Sequence, residues 1–168
     1  MGKSTGSGLP GESAGILRPV SDWSGTTAPT VAFGQGYSLT AMQATSIFAT
    51  IANDGVRVSP TVIAGTSDAS GKFTASSART NERVISAATA QQLRIMMESV
   101  VSGQGTAPSA AVPGYRVAGK TGTAMRFNSE LRKYSGYTAS FIGFSPADAP
   151  KYVISVTIQD PKGLYYGG

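Results

Sequence analysis

From residue 115 onward the chain carries three runs suited to extended backbone, at 115–124, 139–144 and 152–159, and the link between the last two is loaded with proline and aspartate. A parallel crossover takes a dozen residues or more, so the last two runs, joined by seven residues, pair antiparallel, and an antiparallel three-strand ladder follows naturally. Two upstream stretches supply a covering layer. Thr40 and Gln43 have the spacing of a reciprocal helix cap, and Met42, Thr45, Ile47, Phe48, Ile51 and Ala52 follow as an apolar face, predicting a helix over 41–53 that Asn53, Asp54 and Gly55 end. Ile85 and Ser86 read as the residues before and at a second cap, after which Ala90, Leu93, Met96, Met97, Val100 and Val101 recur at helical spacing until Gly103. The expected fold is therefore α/β of the α+β kind, an antiparallel sheet packed by helices. Val153, Ile154, Val156 and Ile158 suit a strand covered on both faces, Phe141, Ile142 and Phe144 a partly covered one, and the two methionines core filler.

The remainder is irregular. Residues 1–36 are rich in Gly, Ser, Thr and Pro and read as loop with short turns, while Trp23 reads as a packing residue beneath them. Residues 56–63 read as extended, interrupted by Pro60, and residues 65–82 as a solvent-exposed hairpin or loop. At 168 residues the chain fits one domain able to bury a core. No stretch reaches the roughly 18 to 20 apolar residues of a membrane-spanning helix, and residues 1–8 lack the apolar segment of a signal peptide.

Fourteen basic against nine acidic side chains give +5, but the cations are scattered without a block or an interleaved aromatic platform, so nucleic acid is not an expected partner. With no cysteine and no histidine, thiol catalysis, disulfides, zinc-thiolate sites and an imidazole base are excluded. No cofactor or metal role is expected. Acid-base chemistry falls to Lys, Asp, Glu or Tyr.

Gly119, Lys120, Thr121, Gly122, Thr123 and Ala124 form the candidate site. On a strand, Lys120 and Gly122 share one side and Thr121 and Thr123 the other, and a twist at Gly122 can turn both sets toward one cleft. An ammonium supplies positive potential, two hydroxyls donate to a carboxylate, and Gly122 admits a substrate backbone. A rival reading is a phosphate-binding loop, since 114–121 fits G-x-x-x-x-G-K-[ST] and 152–158 ends near Asp160 like a metal-binding strand. That loop needs a tight turn opening a helix at the lysine, whereas Pro113, Gly114 and Gly122 surround this one and 115–118 reads as strand.

With these residues placed, the chain resembles the C-terminal half of the transpeptidase domain of a class B penicillin-binding protein of the septal, cell-division type. The resemblance rests on segments in register: 5–14, Thr-Gly-Ser-Gly-Leu-Pro-Gly-Glu-Ser-Ala; Gly34, Gln35 and Gly36 leading to Thr40; 52–55; Gly105, Thr106 and Ala107; 119–124; and Tyr165, Tyr166, Gly167 and Gly168. It implies a serine-type acyl transfer on D-alanyl-D-alanine stem peptides that cross-links peptidoglycan, with β-lactams as mimics. It gives Lys120 electrostatic and proton-relay work, Thr121 and Thr123 the terminal carboxylate, the Thr123 N–H an oxyanion contact, and Gly122 and Ala124 the floor of the substrate site. Neither Ser-x-x-Lys nor Ser-x-Asn occurs in the sequence, so the expectation is that the nucleophile, two sheet strands and a final helix lie outside residues 1–168. Then 152–159 would bare an edge and an apolar face, to be completed by the missing half of the domain or a second chain. The resemblance further implies a parent at the extracytoplasmic face of the membrane, working with membrane proteins of the division machinery. A module that binds peptidoglycan or a partner without catalysis is the alternative.

Overall fold

The computed structural model describes residues 1–76 and 80–168, and two compact units are distinguished by internal contacts. The first comprises Met1–Ser46 and Val58–Asn81, the second Ile47–Arg57 and Glu82–Gly168.

In the first unit the opening stretch is irregular, as its composition predicts, with a 3-10 turn at Val20–Asp22 and one short helix, α1 (Thr27–Ala32). The helix departs from the loop expectation. Side chains nucleate it locally, because Thr27 Oγ1 accepts the Ser24 N–H at 2.9 Å and Thr30 Oγ1 returns a bond to the Thr26 carbonyl at 2.6 Å. Trp23 is half-buried and its indole donates to the Arg18 carbonyl at 3.0 Å. Helix α2 (Ala41–Ala52), of which residues 41–46 are counted in the first unit and 47–52 in the second, opens on the expected reciprocal cap: Thr40 Oγ1 accepts the Gln43 N–H at 3.1 Å and Gln43 Oε1 accepts the Thr40 N–H at 2.9 Å. Gln43 is only 4 % exposed, and its Nε2 also donates to the carbonyls of Lys3 and Ala14, both at 2.8 Å. Nearby, the Glu12 carboxylate accepts the Thr5 N–H at 2.7 Å and the Ser7 hydroxyl at 3.2 Å. Strands β2 (Gly65–Ser67) and β3 (Phe73–Ala75) form the exposed hairpin expected there, although residues 77–79 of that stretch lie outside the described residues.

Strand β1 (Val56–Val58) pairs with β4 (Asn81–Arg83), and only these three residues of the extended 56–63 stretch are strand. In the second unit α3 (Ala87–Val101) begins where the cap was read, with Ser86 Oγ accepting the Thr89 N–H at 3.0 Å. Ala90, Met97 and Val101 fall on its buried face; Met96, expected in the core, is 62 % exposed because it projects off that face. Strands β5 (Ala118–Asn128), β6 (Lys133–Ser145) and β7 (Tyr152–Gln159) make one antiparallel sheet in the order β5-β6-β7. Met97, Ala118, Phe144 and Ala147 form the core, with Phe48, Ile51, Ala52 and Val153 against it.

The extents of β5 and β6 and the covering of β7 differ from the sequence reading. Residues 115–117 are not strand: Gly114 takes φ +82°, the Tyr115 N–H bonds the Val112 carbonyl at 3.0 Å, and the Arg116 carbonyl accepts from Ala147 N and Ser145 Oγ instead of joining the ladder. Strand β6 begins at Lys133, six residues before expected, since a long hairpin pairs Asn128 with Lys133 and Phe127 with Tyr134. Ile154, Val156 and Ile158 are 63 %, 52 % and 54 % exposed, so β7 is not covered on both faces among the described residues; Val153 alone of the four packs inward.

Candidate active site

Strand β5 is the outermost of its sheet, with β6 on one side only. The register sets Lys120 opposite Ile142, Thr121 opposite Phe141, Gly122 opposite Ser140, Thr123 opposite Ala139 and Ala124 opposite Thr138. Alternation therefore puts the two threonines on one face, with Lys120 and Gly122 on the other. The strand depends on Gly119 for this placement. A Cβ there would run into the Phe141 ring and lie 2.9 Å from the Ile142 carbonyl oxygen, so the ring lies directly over the backbone one residue before Lys120.

Despite the alternation, the lysine and threonine heads converge. Lys120 Nζ donates to Thr121 Oγ1 at 3.1 Å and to the Thr121 carbonyl at 3.0 Å, bending the ammonium across the strand margin. Thr121 Oγ1 is also 3.1 Å from Thr106 Oγ1. Thr106 is held by the end of α3: the Ala107 N–H bonds the Val100 carbonyl at 2.8 Å, and Gly105 lies so close to the Ser99 and Val100 carbonyls that no Cβ would fit. Thr123 Oγ1 accepts the Gly167 N–H at 3.2 Å. Lys120, Thr123 and Ala124 are exposed, Thr121 and Gly122 half-buried, so the whole run faces solvent along an open strand margin.

Beside Thr123 stands an aromatic group. Tyr165 stacks on Tyr137 with centroids 4.3 Å apart and lies 4.4 Å from the Tyr166 ring. Its hydroxyl donates to Tyr166 at 3.0 Å, and that hydrogen bond, the neighbouring Tyr166 charge, burial and Tyr137 push the Tyr165 pKa above the ordinary tyrosine value. At the base of β5, Arg116 grips Glu98 of α3 through two 2.8 Å bonds and lies 3.5 Å from Asp148; the Glu98 hydrogen bonds and charge raise its pKa. That clamp ties α3 to the start of the site strand.

Lys120, Thr121, Gly122, Thr123 and Ala124 are thus brought together on one margin, as expected. Thr106, Tyr137 and the contact made by Gly167 were not among the predicted site residues. The phosphate-loop reading fails: Lys120 lies within an eleven-residue strand, paired on one side, and no helix opens at it. A margin carrying an ammonium, two hydroxyls and unladdered backbone suits an extended anionic peptide, which can pair with the strand while its carboxylate meets the hydroxyls.

Comparison with known proteins gives the class. The penicillin-binding-protein transpeptidase domain family matches residues 1–168, and the chain belongs to that family. Among its relatives are penicillin-binding protein PbpB of Mycobacterium tuberculosis, 44 % identical over 96 % of this chain, stage V sporulation protein D of Bacillus subtilis, 39 % identical over 100 %, and peptidoglycan D,D-transpeptidase FtsI of Escherichia coli, 34 % identical over 100 %. The chain spans about a quarter of the length of these relatives, 25 %, 26 % and 27 % respectively. The crystal structure of penicillin-binding protein 3 from Mycobacterium tuberculosis complexed with aztreonam superposes with a TM-score of 0.92 at 44 % identity, covering 99 % of this chain and 39 % of that one. Among the described residues no helix is long and apolar enough to cross a membrane.

Proposed function

We propose that the chain forms the carboxylate-binding wall of a serine-type D-alanyl-D-alanine transpeptidase that cross-links peptidoglycan in septal wall synthesis and is acylated by β-lactams. The observation that carries this is the convergence of Lys120 Nζ with the Thr121 hydroxyl on the open margin of β5, with the Thr123 hydroxyl one rung along. In this reading a stem peptide lies along β5 with its terminal carboxylate on Thr121 and Thr123, and Lys120 supplies positive potential and carries a proton between serine and leaving group. The backbone N–H of Thr123 donates to the oxyanion as the serine attacks. Gly122 and Ala124 leave the floor low. The sequence lacks the serine motifs of such enzymes, so the nucleophile and its base come from polypeptide outside residues 1–168, and so do the membrane anchor and the contacts with division proteins at the extracytoplasmic face.

The test is labelling by a fluorescent penicillin. In the protein that joins this chain to its nucleophile, Lys120→Ala should slow covalent labelling roughly 10²- to 10⁴-fold, the usual worth of a proton-transferring group. This chain alone should form no adduct. Unchanged labelling of the Lys120→Ala protein, or a covalent adduct on the isolated chain, would overturn the assignment.

A further inference from the structure

We infer that the hairpin joining β5 and β6 is a second recognition subsite, one that takes a carboxylate carried by the substrate peptide roughly three to five residues before its C-terminal end; the inference rests on the functional reading above. A peptide whose terminal carboxylate sits on Thr121 and Thr123 has two ways to run along the open margin of β5. One is closed. Ala118 and Gly119 are buried, and Met97 of α3 packs on Ala118 in the core. The other is open, for Thr123, Ala124, Met125 and Phe127 are all exposed. The body of the peptide therefore leaves toward residue 128, antiparallel to β5, a sense in which an extended ligand ladders with an edge strand.

What the peptide meets there is a preformed cationic tip. Phe127 pairs with Tyr134 and Asn128 with Lys133, and the Leu131 N–H bonds Asn128 Oδ1 at 2.9 Å across the turn. The Phe127 and Tyr134 rings meet edge-on with centroids 5.7 Å apart, although both are exposed. Residues 125–134 carry three cations, Arg126, Arg132 and Lys133, against one acid, Glu130. Arg126 is half-buried and already acts on Asp160, which Lys162 also holds at 2.7 Å. Arg132 and Lys133 are exposed and join no ion pair among the described residues. Strand and extended peptide both advance about 3.3 Å per residue, so positions 126–128 and their partners across the hairpin lie level with roughly the third to fifth residue upstream of the terminal one. Two cations without partners beside an exposed ring pair match an acidic side chain on an aliphatic stem.

The experiment uses the protein that joins this chain to its nucleophile and follows release of the terminal D-alanine from synthetic peptides ending in D-alanyl-D-alanine. Each peptide carries a glutamate or the matching glutamine, placed about four or about eight residues before the terminal alanine, level with the hairpin or beyond it. At the nearer position the glutamate peptide should show a kcat/KM roughly three- to tenfold above its glutamine twin, the worth of one or two solvent-exposed ion pairs, whereas at the farther position the two should agree within about twofold. Arg132→Gln combined with Lys133→Gln should abolish the preference. It should leave kcat/KM for the glutamine peptide, and acylation by benzylpenicillin, which has no upstream peptide, within about twofold of the parent's. Equal rates for the nearer pair of peptides on the parent protein, a preference of the same size at both positions, or one that survives in the double variant would overturn the subsite. The first two comparisons are made on the parent protein and need no substitution. A parent protein that neither releases D-alanine from these peptides nor is acylated by benzylpenicillin would instead sink the functional reading itself.

Discussion

Gly119→Ala is the substitution for which the structure gives the sharpest energetic expectation. The new methyl would overlap Phe141 Cζ, lie 2.8 Å from Cε2 of the same ring and 2.9 Å from the Ile142 carbonyl oxygen. The ring is seated between two bare glycines, for its Cε1 lies 2.8 Å from where a Cβ on Gly143 would stand, so the absence of side chains at both positions is what makes room for it. Overpacking of this kind costs about 1–3 kcal/mol, and the lower entropy of an unfolded chain with alanine returns about 0.4–1 kcal/mol. The expected loss is about 1–2 kcal/mol. Gly122→Ala is the internal control: its nearest contact is the Ser140 hydroxyl at 2.5 Å, the end of a side chain that can rotate, with the next atom at 3.9 Å, so it should cost less than about 1 kcal/mol. Urea denaturation reads the difference as a shift in midpoint at constant slope. Phe141→Ala should soften the Gly119→Ala penalty by about 1 kcal/mol in a double-mutant cycle, since the ring supplies most of the collision. Equal midpoints for the two glycine variants, or strict additivity with Phe141→Ala, would refute the argument that the ring packs on the bare strand.

Acid titration tests the opening loop. The hydroxyl and N–H of Thr5, of which the N–H makes the formed bond, together with the Ser7 hydroxyl hold the Glu12 carboxyl below its ordinary value of 4.5. Its contribution is complete above about pH 4.5 and is lost as pH falls through the lowered folded value, because the unfolded chain takes up the proton first; the Tm gap between the parent and Glu12→Gln should close over that window. Phe144→Ala, at a ring 2 % exposed, should destabilise by about 3–5 kcal/mol in the same urea assay. Ser86→Ala removes the α3 cap and should cost about 1 kcal/mol, with the helical circular dichroism largely retained.

Local signals carried much of this architecture. The cap at Ser86 with its apolar spacing, the reciprocal pair of Thr40 and Gln43, and the β-branched run from Tyr152 to Gln159 each act within a few residues, and each element formed where it was read. Strand β6 was read short because residues 128–135 are polar; what extends the hairpin is cross-strand, the edge-on pair of Phe127 and Tyr134 with centroids 5.7 Å apart. The start of β5 was misplaced because the Arg116 carbonyl is claimed by residues 145 and 147, some thirty positions away. At the site the same division holds. Lys120, Thr121 and Thr123 announce themselves as neighbours in one motif, whereas Thr106 and Gly167 reach the threonines across 15 and 44 residues of chain. Both lie in segments that carry the family resemblance, but only the fold shows that they meet the threonines.

The buried Gln43 amide has a consequence for how the opening residues come apart. One side chain bridges the backbone at positions 3, 14 and 40, and Gly15 lies so near its Oε1 that a methyl there would sit 2.8 Å away. Loosening any of these strips of chain strands a polar group at the other two, which favours their release as a single cooperative block over piecemeal fraying. Amide exchange around that side chain should then follow one shared opening rate, giving a stretch with little regular secondary structure the collective behaviour usually found in helices and sheets.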